Sequence, residues 1–199
     1  MRRNNRHRLM FGLVAVALSA SVAGCSGTPF KLKEPPAGFV EVENYYGNAR
    51  FKGADNVGVN VNSFGNMNGG SRAYWSKDLV EKLATRGYTL TKQTKVSSNN
   101  GVPGTRFDFD YTTPVAGEEK FFTVVLFVTD EHRVVVQVAG DRAHKGAFDG
   151  RTNEVLTQLK VGGCRLGSDV CKEAEPGSLV GKFPAADLNR VPGTEDAKD

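Results

Sequence analysis

Two strongly β-forming runs stand almost end to end in the second half of the chain, EKFFTVVLFVTD (119–130) and HRVVVQVAGD (132–141). The link between them is Asp130-Glu131 or a residue more. That is too short for a crossover, so the two runs must form an antiparallel hairpin. The first run is apolar at nearly every position of its middle, the pattern of a strand buried on both faces. The second alternates through Val134, Val136 and Val138. A strand covered on both sides needs packed layers around it, which calls for a two-layer or three-layer arrangement of sheet and helix.

The rest of the chain supplies those layers. FVEVENYY (39–46) alternates, Gly47-Asn48 is a turn signal, and ARFKGAD reads as a short second strand. NVGVNVNSF (56–64) places Val57, Val59 and Val61 on one face and Asn60 and Asn62 on the other. The loop GNMNGG lacks the Lys-Ser/Thr ending of a phosphate-binding loop and reads as a plain connection. SRAYWSKDLVEKLATRG (71–87) predicts a helix: Trp75, Leu79 and Leu83 recur every four residues, with Val80 beside them. Ser71 is placed to cap its start and Gly87 to end it. YTLTKQTKV (88–96) and TRFDFDYTT (105–113) predict two more strands, the latter with Phe107, Phe109 and Tyr111 opposite Asp108 and Asp110. A second helix is expected within HKGAFDGRTNEVLTQLK (144–160), with Phe148, Val155, Leu156 and Leu159 inward and Gly150 weakening its start. After Val161 the periodicity stops.

The N-terminus speaks to location. MRRNNRHR carries four arginines and no acid, and LMFGLVAVALSASVAG follows. This apolar stretch falls short of the roughly 20 residues that span a bilayer. A basic start, a short apolar core and small residues at its end read as an export signal. Val22-Ala23-Gly24-Cys25 resembles the lipobox of bacterial lipoproteins, which implies that Cys25 is diacylated, becomes the first residue after cleavage and anchors the chain in a membrane. Two or three acyl chains hold stably, whereas one does so marginally. NNRHRL, directly behind Arg2-Arg3, lacks the apolar pair expected of twin-arginine export. Removing the four arginines with the signal takes a chain of net charge +4 to a mature chain of net charge zero. No basic patch then argues for nucleic acid.

Two cysteines remain besides Cys25, in CRLGSDVC. An even pair in an oxidising envelope predicts a disulfide between Cys164 and Cys171. Zinc would want further ligands nearby, and the nearest upstream histidine is His144.

The expected organisation is a signal peptide over 1–24, the lipidated Cys25 with a proline-containing linker over 25–37, an α/β domain over 38–161, and a disulfide loop with a mobile tail over 162–199. The fold class is α+β, a mostly antiparallel sheet packed by two helices. The order of elements, with GFVEVEN, NVGVNV and FFTVVLFVTDEHRVVVQVAG, resembles the PsbP-like fold of photosystem extrinsic proteins and of exported, DcrB-like bacterial lipoproteins. That resemblance covers residues 38–161. It implies an accessory or binding protein, and it carries no site residues because the fold has no common site motif.

No catalytic motif stands out: the chain holds neither H-E-x-x-H nor G-x-S-x-G. Asp108 and Asp110 share one strand face, which reads as a wet surface, with divalent-cation chelation as the functional alternative. We therefore expect a non-enzymatic, lipid-anchored envelope protein with no catalytic residue, metal or cofactor. Its partners are a membrane through Cys25 and an unidentified protein or small ligand; capture of a small ligand in a cleft between sheet and helix is a third possibility. The alternative is an envelope hydrolase or metal-dependent enzyme built around Asp108, Asp110 and His132. Ser26 is not the aspartate that favours inner-membrane retention, so the expected site is the outer membrane, facing the periplasm, in a cell with two membranes.

Overall fold

The hairpin that constrains the chain lies inside a seven-stranded antiparallel sheet. The computed structural model describes residues 27–54 and 56–188. Residues 1–26, which hold the expected export signal and Cys25, and residues 189–199 lie outside the described residues. In chain order the elements are β1 (Phe30–Leu32), β2 (Phe39–Tyr45), β3 (Asn48–Gly53), β4 (Gly58–Gly65), α1 (Arg72–Ala84), β5 (Thr89–Ser97), β6 (Pro103–Thr112), β7 (Glu119–Val128), β8 (His132–Asp141), α2 (Lys145–Gln158) and β9 (Leu159–Val161). The large sheet runs β2-β3-β4-β8-β7-β6-β5, and β1 pairs with β9 in a separate ribbon. Two meanders, β2–β4 and β5–β8, are thus joined where β4 lies against β8.

Strand β7 is buried on both faces, as its apolar run requires. Phe121, Val125 and Phe127 join Val134, Val136 and Val138 under Phe148, Val155 and Leu156 of α2. Val124, Leu126 and Val128 point the other way and join Phe107 and Phe109 under Val80 and Leu83 of α1. The sheet is therefore the middle of three layers. Ser71 Oγ accepts the Tyr74 N–H and starts α1, and Gly87, at a φ of +82°, turns the chain out after it. Helix α2 stops earlier than the sequence pattern suggests. Leu159 is fully buried as expected, but from strand β9, because Leu159–Val161 pairs with Phe30–Leu32.

Two boundaries drawn from the sequence change. The stretch expected as linker contains β1, whose Phe30 and Leu32 pack on the core, so the domain begins before residue 38. The stretch expected as a mobile tail is laid along the α1 side as far as residue 188. The Arg72 Nη2 donates to the Glu173 carbonyl, Gln93 Nε2 to the Pro176 carbonyl at 3.0 Å, and the Ala186 N–H to the Ala84 carbonyl at 2.8 Å. Leu179 is buried among the α1-side residues. Such a strap is held by scattered polar contacts and single apolar anchors, which leave no period in the sequence. Cys164 and Cys171 are joined by a disulfide at its root.

Candidate functional site

The even-numbered residues of β6 face α2, and this decides what the two aspartates do. Asp108 is only 3% exposed, which corrects the expectation of a wet face. Its Oδ1 accepts from Arg106 Nε at 3.0 Å and from Thr123 Oγ1 at 2.7 Å. Arg106 Nη2 lies 2.9 Å from the same oxygen and 2.6 Å from Asp149 of α2. Lys145, one turn back on α2, lies 3.1 Å from Asp149. Burial pushes the Asp149 carboxyl up, but hydrogen bonds from Lys145 and Arg106 outweigh it and hold the group below the usual carboxylate range. Asp110 faces Arg142 at 3.1 Å. Both aspartates are thus answered by arginines. Among the described residues no group of three His, Cys, Asp or Glu side chains could hold a metal ion.

His132 stands elsewhere. Asp108 is level with Thr123 of β7, which is level with Val138 of β8. From Val138 to His132 the strand runs about 20 Å at its usual rise. The three residues of the hypothetical enzyme site are not brought together. The sequence held one unused clue: Arg106 precedes Asp108 by two positions and shares its face. Asp149, far along the chain, could not be paired with it from periodicity.

His132 belongs to the end of the sheet where the chain enters the fold. Pro29 is buried there, and its carbonyl accepts the Gly162 N–H at 2.9 Å. Pro29, Tyr45, Tyr46, Phe64 and His132 line an open cleft of about 460 Å³. The β7–β8 turn braces this end. The Asn66 N–H donates to the Glu131 carbonyl at 2.8 Å and Asn66 Nδ2 to the Thr129 carbonyl at 2.8 Å. The Asp130 carboxylate accepts the Arg165 N–H at 2.8 Å and the Ser168 hydroxyl at 2.9 Å. Burial pushes the Asp130 carboxyl up, but these bonds outweigh it and hold the group low. Trp75 Nε1 donates to Asn66 Oδ1 at 3.0 Å, and the Arg133 guanidinium lies 3.9 Å over the indole ring. Trp75 is therefore a packed structural residue.

The opposite end carries a second open cleft of about 580 Å³, lined by Tyr88, Tyr111, Lys120, Phe122 and Asp141 among others. Tyr88 and Tyr111 stack at 4.4 Å. Lys120 sits between Asp141 and Glu118. Neither of these two clefts lies between a helix and the sheet.

No family model matches the chain, and no curated protein matches it. Solved structures do resemble it. A protein of unknown function from Pseudomonas aeruginosa superposes with a TM-score of 0.48 at 8% identity, over 69% of this chain and 86% of that one. LpqN, involved in cell envelope biogenesis of Mycobacterium tuberculosis, gives 0.43 at 12% identity, over 70% and 87%. The cyanobacterial PsbP of Synechocystis gives 0.39 at 10% identity, over 72% and 99%. A PsbP protein is thus among the structures that resemble the chain. At these scores the likenesses assign neither family nor function, and the α+β architecture rests on the strand order and register given above.

Proposed function

We propose that this is a lipid-anchored protein of the bacterial cell envelope, acting without chemistry of its own as an accessory or binding protein. The observation that carries the reading is Val22-Ala23-Gly24-Cys25 placed directly ahead of a folded domain, whose first strand begins at Phe30. Among the described residues no helix is long and apolar enough to cross a membrane. The Cys164–Cys171 disulfide suits an oxidising compartment. The commitment of Asp108 and Asp110 to arginines, and their distance from His132, support a role in binding over one in catalysis.

Growth with radiolabelled palmitate tests the anchor. The full-length protein should carry the label and sediment with membranes, and Cys25→Ser should lose the label and either accumulate as precursor or leave the membrane. A Cys25→Ser protein that is processed and membrane-bound as before overturns the reading.

A further inference from the structure

We propose that the end of the sheet at which the chain enters from Cys25 is a membrane-docking surface. Tyr45, Tyr46, Phe64, Met67 and Leu166 seat in the interfacial zone of the bilayer that holds the Cys25 acyl chains. This rests on the lipid-anchor reading above and goes beyond it, because an anchored domain could equally stand away from the membrane on a long tether.

Here the tether is short. Pro29 is fixed in the fold by its bond to Gly162, and only four residue steps separate it from Cys25. Even fully extended, four residues span no more than about 14 Å. The acylated sulfur lies at the top of the hydrocarbon, and the headgroup layer is several ångströms deep. The domain has almost no freedom to stand off, and the surface around Pro29 is the part that must face the lipid.

That surface is apolar and aromatic. Met67 is 96% exposed and Leu166 107%, with Tyr46, Tyr45 and Phe64 at 66%, 56% and 52%. They come from three separate segments: the β2–β3 turn, the end of β4 with the loop that follows, and the disulfide loop. The fold gathers all three around the β7–β8 turn. Met67 follows Asn66, which is bound to Glu131, and Leu166 follows Arg165, which is bound to Asp130. The disulfide closes the loop that presents Leu166. Large apolar side chains held outward on braced loops mark a surface that something covers. Tyrosine, with an apolar ring and a polar tip, favours the membrane–water interface. On the adjoining flank Lys31 and Lys160 face each other across the β1–β9 ribbon. Like charges so placed repel, and anionic headgroups would relieve them.

The test uses the full-length protein in cells that process lipoproteins. A photoreactive benzoyl-phenylalanine is placed singly at Met67, Leu166 or Tyr46, and at Val115 as a control. Val115 is 101% exposed in the β6–β7 loop, at the other end of the sheet. Phospholipids carry a radioactive phosphate, so an adduct reports bilayer lipid and not the protein's own acyl chains; palmitate labelling of the same protein reports the anchor. Met67, Leu166 and Tyr46 should each give lipid adducts several-fold above Val115. Palmitate-labelled protein with adducts no stronger than at Val115, or with protein adducts in their place, overturns the docking surface and leaves the anchor standing. Loss of the palmitate label overturns the anchor, and the docking surface with it.

Discussion

Arg106 lies between the sheet and α2, while Arg72 lies at the start of α1 on the other side of the sheet, and both are nearly inaccessible to water. Arg106 meets two carboxylates, Asp108 at 2.9 Å and Asp149 at 2.6 Å, and Asp108 is further fixed by Thr123. Among the described residues the Arg72 guanidinium has a carboxylate only at 4.0 Å, that of Glu175. One of its nitrogens donates to the Glu173 carbonyl, and among the described residues its Nε and Nη1 have no hydrogen-bond partner. The contrast follows from what surrounds each residue. Arg106 sits among regular elements whose facing positions repeat, so a complete network can be built from strand and helix. Arg72 is covered by the aperiodic strap after Val161. That strap serves the helix first: the Glu173 carboxylate accepts the N–H groups of Arg72 and Ala73, which the first turn of α1 leaves open. The guanidinium is buried as a consequence of closing that face and is only partly satisfied.

The largest expected effect belongs to the complete network. Asp108→Ala removes the main partner of a buried guanidinium and leaves the Thr123 hydroxyl without its acceptor. Breaking one side of a buried ion pair costs about 3–5 kcal/mol. Urea denaturation followed by Trp75 fluorescence should show a loss in that range. A loss below about 1 kcal/mol, the ordinary worth of an exposed pair, would mean that Asp149 alone satisfies Arg106 and would erase the contrast with Arg72.

How far the sequence could see differs on the two sides in the same way. The strands and the inward positions Val57, Val59, Val61, Phe107 and Phe109 follow from period-two alternation, because sheet burial repeats with the pleat, and the two-residue link sets the β7–β8 hairpin. Helix α1 was legible from Ser71 to Gly87 through its caps and its four-residue spacing. Asp108 was misread because alternation marks it as polar without saying whether the face it occupies is wet or covered by a helix bearing a matching charge. The strap was invisible because its contacts are single bonds to Arg72, Gln93 and Ala84, separated by large sequence distances. The short β1 was hidden by neighbouring prolines and by the length of its partner β9, three residues. The site suffered most. The entry surface draws on segments far apart in sequence, each with one or two exposed apolar residues, and only the fold brings them to one end.

Arg72→Met sharpens the same comparison with a smaller effect. The substitution keeps the apolar stem against its neighbours, removes two unpartnered nitrogens, and gives up the bond to the Glu173 carbonyl. A net loss of about 1 kcal/mol is expected, the usual worth of one hydrogen bond. The backbone cap of α1 by the Glu173 carboxylate should survive, so hydrogen exchange at the amides of Arg72's position and Ala73 should stay protected. If Arg72→Met costs as much as Asp108→Ala, the two arginines are equivalent and the strap holds its charge as firmly as the strand–helix network does.

The smallest effect is the pH dependence that Asp149 contributes on the α2 side. Asp149 has its folded pKa below the ordinary value of 3.8, because the bonds from Lys145 and Arg106 outweigh burial. A carboxylate with a depressed folded pKa adds stability that is fully present above its unfolded value and is lost as pH falls through the folded one. Asp149→Asn should therefore be less stable than the parent at pH 7, by a few tenths of a kcal/mol given how exposed this side chain is. The gap should hold constant down to about pH 5 and close as pH drops below 3.8, since the parent then protonates the same group. Denaturation midpoints of parent and variant at pH 7, 5 and 3 measure it. A gap that is unchanged at pH 3 would mean that Asp149 works through shape and not through charge, and that Arg106 is neutralised by Asp108 alone.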